Sequence, residues 1–331
     1  MSGLATSNLW HLLHILTPAL ADGNACLAAK DCDLLVDGLH LDSAWTEGMS
    51  PLDAIRQSFA WPFLKLLSLR TPLLLGAANV GQPSKRCFWN VYWGYRGVTL
   101  FGRDKGGLST ATARSALTRV TARSQTHPLF LRMTRSPLQN AEVDLQRWRI
   151  LLIERRIPAR RALANCNQII QLLCSRLLRR RAIAVWKDFA DQEMKSDVQQ
   201  QWQLASSADI LIGAHGAGLA WAAFMPAGSV MIELMPHMQV LHQQLCRVKP
   251  GETIAWDATP MYAYGGLSAL MGLHHICIIG LPTAALPSRP SLGLELGTWW
   301  SSDVVANISA LNHTLLVALD HLDALGQTYN L

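Results

Sequence analysis

One segment in the second half of the chain has the residue types of an anion-binding turn. A strand-like run, Asp209 to Ile212, precedes a glycine-rich stretch that we call the glycine loop. The loop consists of Gly213, Ala214, His215, Gly216, Ala217, Gly218 and Leu219. Glycines let backbone N–H groups approach a phosphate closely, and a helix that begins after the turn directs the positive end of its dipole there.

The spacing of these glycines limits the ligands that they suit. The pattern is G-x-x-G-x-G, whereas a dinucleotide fold carries G-x-G-x-x-G, so a nicotinamide enzyme is disfavoured. A P-loop is also disfavoured, because no lysine follows the glycines. The alternative that the glycines serve only close helix–sheet packing stays open for the loop alone.

An alternation of strand and helix patterns surrounds the loop between residues 148 and 280. The predicted strands are Arg149–Ile153, Ala182–Trp186, Asp209–Gly213, Ser229–Leu234 and His274–Ile279. The predicted helices are Asn165–Leu178, about Asp197–Ala205, a short one from about Leu219, and about Val240–Val248. This order predicts an α/β fold with a parallel sheet covered by helices on both faces.

The remaining sequence predicts a division into four parts. Residues 1–102 form a smaller α/β domain with helices at 8–21 and 52–69 and strand-like runs at 33–36 and 88–95. Residues 103–145 are a basic linker or loop rich in Ser, Thr and Arg, and 146–285 are the domain with the glycine loop. Residues 286–331 are an extension that ends in a helix at about Asp303–Leu325.

The composition excludes several classes of protein. Of 331 residues, 50% are hydrophobic and 16% are charged, which excludes a disordered chain. The net charge of +6 comes from residues 103–181, which hold 17 basic and 4 acidic residues. That segment has few aromatic residues to stack on bases, so we expect no nucleic-acid partner. Seven cysteines without C-x-x-C predict neither a zinc framework nor a redox pair.

No run reaches the roughly 18 apolar residues of a membrane span, so we expect no membrane anchor or signal peptide within these residues. Two N-glycosylation sequons begin at Asn307 and Asn312, and they matter if the chain enters the secretory pathway.

Three motifs together resemble one enzyme family. The H-G-A-G-L loop is followed by F-x-P-x-G-S at 224–229 and by E-L-x-P at 233–236. In this order, the run from Gly213 to Pro236 resembles glycosyltransferase family 61. The strand before Arg156, with Arg161 and Asn165 after it, is similar to the family's strand-Arg and R-x-x-x-N pattern, with Arg155 and Arg160 as one-residue alternatives. The opening Asn8-Leu9-Trp10-His11 is similar to its N-x-x-H motif.

This resemblance implies a fold and an activity. The family includes plant xylosyl- and arabinosyltransferases of the Golgi and animal O-GlcNAc transferases of the secretory pathway. It implies two Rossmann-like domains of the GT-B type, with the donor site in the C-terminal half. It also implies inverting transfer of xylose, arabinose or N-acetylglucosamine from a UDP-sugar to a glycan or glycoprotein in the Golgi or endoplasmic reticulum lumen.

Roles for individual residues follow from the resemblance. His11 is the candidate general base, and His14 lies one helical turn later. The donor-binding candidates are Arg156, Arg161, Asn165, His215, Gly216, Ala217, Gly218, Leu219 and Glu233, with His215 also a catalytic candidate. Two alternatives stay open. Asn165 would instead cap the helix it opens, and Glu233 would bind either sugar hydroxyls or a neighbouring arginine.

Two further expectations concern catalysis and metals. Family members commonly carry an acid four residues after the motif histidine, whereas this chain has Ile15, so a homologue that binds donor without catalysis is the alternative hypothesis. The sequence has no H-E-x-x-H and no D-x-D beside the expected donor site, so we expect activity without a metal or other cofactor.

Overall fold

The computed structural model describes residues 4–5, 35–37, 39–40, 73–75, 148–156, 161–177, 182–189, 191, 194, 197–237, 246, 253–256, 263–282 and 302–329. The chain divides into two compact units, residues 1–132 and 133–331. In the first unit, strand β1 (Leu4–Ala5) pairs in parallel with β3 (Leu39–His40), and β2 (Leu35–Asp37) pairs in parallel with β4 (Leu73–Leu75). The helices predicted at 8–21 and 52–69, the strand at 88–95 and the basic stretch at 103–145 lie outside the described residues.

The described part of the second unit is built on a six-stranded sheet. Its strands are β5 (Trp148–Glu154), β6 (Ala182–Asp188), β7 (Ile210–Ala214), β8 (Val230–Met235), β9 (Ile254–Trp256) and β10 (His274–Ile279). The spatial order is β6-β5-β7-β8-β10-β9, and every neighbouring pair is parallel except β9 with β10. The predicted α/β character and the five parallel strands are thus confirmed. The short antiparallel β9 was missed, because three residues carry no readable alternation.

Four α-helices and one 3-10 helix accompany this sheet in the described residues. They are α1 (Cys166–Leu177), α2 (Val198–Ser206), the 3-10 helix (Ala217–Phe224), α3 (Ala263–Met271) and α4 (Ile308–Tyr329). Sequence patterns missed α3, since the pair Gly265-Gly266 weakens its helical propensity. The helix predicted around Val240–Val248 lies outside the described residues, apart from Cys246.

The terminal helix begins five residues later than its sequence pattern indicated. Val304 lies in an extended segment, where its N–H donates to the carbonyl of Ala162 and its carbonyl accepts from Ala164. Asn307 then caps α4, because its side-chain oxygen accepts from the N–H of Ala310 at 3.1 Å. The residues before the helix therefore join the turn that follows β5.

Side chains alternate between the two faces of the sheet along each strand. Even-numbered residues such as Leu152, Ile212 and Ile232 are buried in one apolar core with helices α1 and α4. The odd-numbered residues face the 3-10 helix and α3, and there the apolar run is interrupted by His215, Glu233 and His275. Such buried polar groups among apolar strands mark this face as the one that holds a site.

Two other features concern the cysteines of the second unit and the length of the described helices. A disulfide joins Cys246 to Cys277 on β10, while Cys166 and Cys174 are free thiols. Within the described ranges, no helix has both the length and the apolar content needed to cross a bilayer.

The packing of α4 predicts unequal effects for two substitutions on that helix. Leu319 is fully buried against the sheet, so Leu319→Ala should lower the free energy of unfolding by about 2–5 kcal/mol through the cavity it leaves. Val317 is 37% exposed on the same helix, and Val317→Ala should change it by less than about 0.5 kcal/mol. Chemical denaturation measures both, and equal effects would contradict the packing of α4 on this core.

Candidate functional site

Polar residues from neighbouring parallel strands meet on the odd-numbered face of the sheet. Arg155 follows β5, His215 follows β7, Glu233 lies on β8 and His275 lies on β10. Because the carboxyl ends of parallel strands share one edge, the residues after β5 and β7 lie where ligands bind in open parallel sheets.

Glu233 is the centre of this group. It is 4% exposed, and each of its carboxylate oxygens accepts a hydrogen bond from a histidine. Oε1 accepts from Nδ1 of His215, and Oε2 accepts from Nε2 of His275 at 2.7 Å. Burial alone would raise the pKa of Glu233, but the charge and hydrogen bonds of His215 and His275 outweigh it and lower that pKa to about 2. Glu233 is therefore a carboxylate at neutral pH.

These hydrogen bonds determine where the histidines carry protons. An ionised carboxylate accepts only, so His215 carries a proton on Nδ1 and His275 carries one on Nε2. The other ring nitrogen of His275, Nδ1, is buried and has no hydrogen-bond partner among the described residues. An N–H at Nδ1 would be a buried donor without an acceptor, which is costly, so Nε2 is the nitrogen of His275 that this environment suits as a donor.

The glycine loop passes directly beside two arginines. A Cβ atom added to Gly216 would lie 2.5 Å from Nη1 of Arg155 and 3.4 Å from Cζ of Arg161. Gly216 also has a φ of +157°, which side chains of L-residues rarely adopt. Only glycine therefore lets both guanidinium groups approach the loop backbone.

The other two loop glycines serve packing. A Cβ at Gly213 would lie 3.1 Å from Cδ2 of Leu219, and one at Gly218 would lie 3.2 Å from Cγ2 of Ile153. Of the two roles considered for the loop, close helix–sheet packing thus fits Gly213 and Gly218, whereas Gly216 gives access to charged groups.

Arg155 is unusual because it is half-buried and lacks a full set of partners among the described residues. Burial lowers its pKa, and the electrostatic influence of Tyr264 and Asp188 only partly opposes that shift. Its Nη1 atom is buried and has no hydrogen-bond partner in the described part of the chain. A buried guanidinium N–H of this kind is a ready donor for an anion.

The backbone around Arg161 holds it in a strained conformation. Its φ is +60°, in the left-handed region that non-glycine residues seldom occupy. The next residues are fixed by hydrogen bonds, since Ala162 N–H donates to Asp303 Oδ1 at 2.9 Å and Leu163 N–H donates to the carbonyl of Arg155 at 2.8 Å. Such strain persists where the surroundings over-determine it, as at binding sites.

Tyr264 on α3 completes the group. Its ring packs edge-to-face on His215, with 5.3 Å between the ring centroids. Burial and the charge of Glu233 raise its pKa, while Arg161 and Arg155 act in the opposite direction. Tyr264 therefore keeps its hydroxyl proton at neutral pH.

Two of the residues predicted for the donor site lie elsewhere or have other partners. Arg156 is exposed, and its Nε donates to Glu154 Oε2 at 2.6 Å, so Arg155, the one-residue alternative, is the arginine beside the loop. Asn165 precedes α1, and its side-chain amide donates to Oε1 of Gln168 in the first turn of that helix at 2.9 Å. It exchanges hydrogen bonds with the backbone of Ala306 at 2.8 and 3.0 Å.

Other predicted residues are placed as follows. Glu233 binds two histidines rather than the arginine considered as its alternative partner. Ala217 and Leu219 belong to the 3-10 helix, where Leu219 is buried. His11, His14, Ile15 and Arg160 lie outside the described residues. Sequence reasoning missed His275 and Tyr264, because neither belongs to a motif.

The arrangement suits a dense negative charge. Two guanidinium groups beside a glycine turn offer hydrogen-bond donors at one position. Arginine presents a planar fork that matches two phosphate oxygens, so a diphosphate fits this chemistry better than a neutral ligand does.

Comparison with known proteins agrees with this chemistry. The protein-family model described as Glycosyltransferase 61 matches residues 11–232, which is more than half of the chain. The match includes Arg155, Arg161 and the glycine loop, and it ends before Glu233, Tyr264 and His275. A search of curated proteins finds no match. The chain therefore belongs to glycosyltransferase family 61, a family of sugar-transferring enzymes.

Proposed function

We propose that this enzyme transfers a sugar from a UDP-sugar to a glycan or glycoprotein, and that it holds the diphosphate of the donor at Gly216. The observation that carries the proposal is the buried Nη1 atom of Arg155, which lacks a partner among the described residues and lies beside Gly216 in the loop. Arg161 approaches the same position, since its Cζ would lie 3.4 Å from a Cβ added to Gly216. Xylose, arabinose and N-acetylglucosamine are the candidate sugars.

The proposed reaction places its main electrostatic demand on the leaving group. The acceptor hydroxyl oxygen bonds to the anomeric carbon as the bond from that carbon to the diphosphate oxygen breaks, with inversion. Negative charge then grows on the UDP that departs, and prearranged donors that meet it lower the barrier. Arg155 and Arg161 supply such donors.

The acceptor hydroxyl must also lose its proton to a general base. We propose His11 for this role, on the basis of the N-x-x-H motif. His215 belongs to the donor side in this scheme, since its ring lies beside the loop and is held by Glu233.

Charge on the diphosphate is neutralised by protein groups in this proposal. Two arginines provide the positive charge that a divalent cation provides in other transferases, and both oxygens of Glu233 are engaged by histidines. We therefore propose activity without a metal or other cofactor.

The proposal extends to the arrangement of the two units and to the compartment of the enzyme. We propose that the first unit is the acceptor domain of a GT-B arrangement and that the second unit holds the donor. A lumenal location in the Golgi or endoplasmic reticulum is supported by the Cys246–Cys277 disulfide, because such bonds persist in oxidising compartments.

A homologue that binds donor without catalysis is the second candidate. Ile15 favours it, because an acid commonly stands at that position in the family. Donor binding without release of UDP, on a broad panel of acceptors, would distinguish it from the enzyme.

Two adjacent arginines provide a matched test of donor binding. UDP should raise the melting temperature of the wild-type protein, and Arg155→Ala should weaken UDP binding by about 10- to 100-fold, as expected for a lost charge-assisted hydrogen bond. Arg156→Ala removes an equal charge at the exposed neighbour and should change UDP affinity less than about 3-fold, since the group is solvent-screened. Calorimetric titration with UDP measures both. Equal losses, or a wild-type protein that ignores UDP, would contradict the proposal.

The close approach at Gly216 predicts a second effect. Gly216→Ala introduces a methyl group 2.5 Å from Nη1 of Arg155, so the guanidinium must move away and UDP affinity should fall at least about 10-fold. Gly272→Ala is a suitable control, since Gly272 also has a positive φ, +71°, but lies at the end of α3. Gly272→Ala should lower stability and leave UDP affinity unchanged, and the reverse pattern would count against Gly216 as the site.

Chelation tests the proposed independence from metals. UDP affinity and UDP release from a UDP-sugar should be unchanged after dialysis against excess EDTA, because Arg155 and Arg161 supply the required charge. Titration and release assays before and after dialysis measure this. A loss that added Mn²⁺ or Mg²⁺ restores would overturn it.

A further inference from the structure

We propose that His275 is a positioning residue that acts through Glu233 and holds His215 in one tautomer and one orientation beside the diphosphate site. This inference rests on the proposed function for its link to UDP. The relation among the three side chains stands on their geometry alone.

Three neighbouring strands supply the three side chains. His215 follows β7, Glu233 is on β8 and His275 is on β10, and these strands are adjacent in the order β7-β8-β10. Parallel pairing sets Gly213 opposite Glu233, and Cys277 opposite Glu233 on the other side. The backbone ladders thus fix the positions from which both histidines reach the carboxylate.

The carboxylate has one histidine for each oxygen. Nδ1 of His215 meets Oε1, and Nε2 of His275 meets Oε2 at 2.7 Å. Exposure is 6% for His215, 4% for Glu233 and 3% for His275, so water does not readily replace either donor. Losing His275 would leave a buried, charged oxygen without a donor, which costs more than an ordinary lost hydrogen bond.

The inference depends on how Glu233 responds when the hydrogen bond from His275 is lost. A buried carboxylate with an unpaired oxygen either takes up a proton or rotates toward another donor. In both cases its hold on Nδ1 of His215 weakens, and the ring is free to change tautomer or turn. An imidazole beside a substrate acts usefully only when its other nitrogen has a defined protonation and direction, which the partner of the first nitrogen sets.

Charged and titratable groups surround His215, so the tautomer and orientation of its ring affect how the site binds an anion. The ring of Tyr264, on α3, packs against the ring of His215, and Glu233 binds Nδ1 of that ring. Arg155 and Arg161 lie at the glycine loop. The orientation of the His215 ring determines whether its other nitrogen faces the proposed diphosphate or turns away from it.

The test compares substitutions at His275 with one at its neighbour. His275→Gln keeps an N–H donor near the position of Nε2, whereas His275→Leu removes it. His274→Gln is the matched control, because His274 is the adjacent histidine on β10 and its ring packs on His321, on the opposite face of the strand.

The first measurement is nitrogen-15 NMR of histidine-labelled protein, with the His215 resonances identified by their absence in His215→Gln. Wild type, His275→Gln and His274→Gln should show His215 protonated at Nδ1, with that proton protected from exchange. His275→Leu should lose this protection or show mixed tautomers. An unchanged His215 spectrum in a folded His275→Leu protein would overturn the inference.

The second measurement is UDP affinity by calorimetric titration. His275→Leu should bind UDP about 10-fold more weakly, while His275→Gln and His274→Gln should remain within about 3-fold of wild type. Glu233→Gln should weaken binding to a similar extent as His275→Leu, and the two losses should not add in the double variant because they break one chain of contacts. Additive losses would overturn the inference.

Two outcomes separate this inference from the proposed function. If wild type ignores UDP while His275→Leu still releases the His215 proton, the donor proposal fails and the positioning role stands. If His275→Leu does not fold, His275→Ala, which also removes the donor to Glu233, takes its place in the NMR experiment. A protected, unchanged Nδ1–H of His215 in that variant would overturn the inference.

Discussion

A buried negative charge at Glu233 is the constraint on which the rest of the site depends. A carboxylate removed from water is costly unless each oxygen finds a donor, and here two histidines from the flanking strands provide them. This requirement explains why His275 is buried on β10, next to the apolar residues of that strand. It also explains the orientation of His215, because the nitrogen that binds Glu233 dictates what the opposite side of the ring presents.

Even- and odd-numbered residues of the strands face opposite sides of the sheet, and the two sides have different roles. Even-numbered side chains build a continuous apolar core with α1 and α4, which makes the strands rigid supports. Odd-numbered positions are then available for polar groups, and the carboxyl edge collects Arg155 and His215. The segment before α4 contributes as well, since Asp303 and Val304 bind the backbone beside the strained Arg161. The C-terminal part of the chain thus helps to hold a residue of the candidate site.

Much of this could be predicted from local patterns, and the rest depends on long-range pairing. The five parallel strands follow from hydrophobic runs, and the loop follows from its glycines. The choice between Arg155 and Arg156 is a one-residue shift that moves the side chain to the other face, and alignment of motifs alone does not settle it. His275 and Glu233 are 42 residues apart, and only the register of β8 and β10 brings them together. Tyr264 lies in α3, a helix that the sequence did not predict because its two adjacent glycines weaken its helical propensity.

The balance of charge in the site indicates what kind of ligand completes it. Arg155 and Arg161 bring two positive charges to one turn, and Glu233 is already engaged by histidines. Burial lowers the pKa of Arg155, which means that its charged form is stabilised less than it would be in water. A bound anion reverses that penalty, whereas a neutral sugar does not. The energy released by pairing these arginines increases as charge develops on the ligand, and this is the physical basis on which we propose that the site holds a leaving diphosphate.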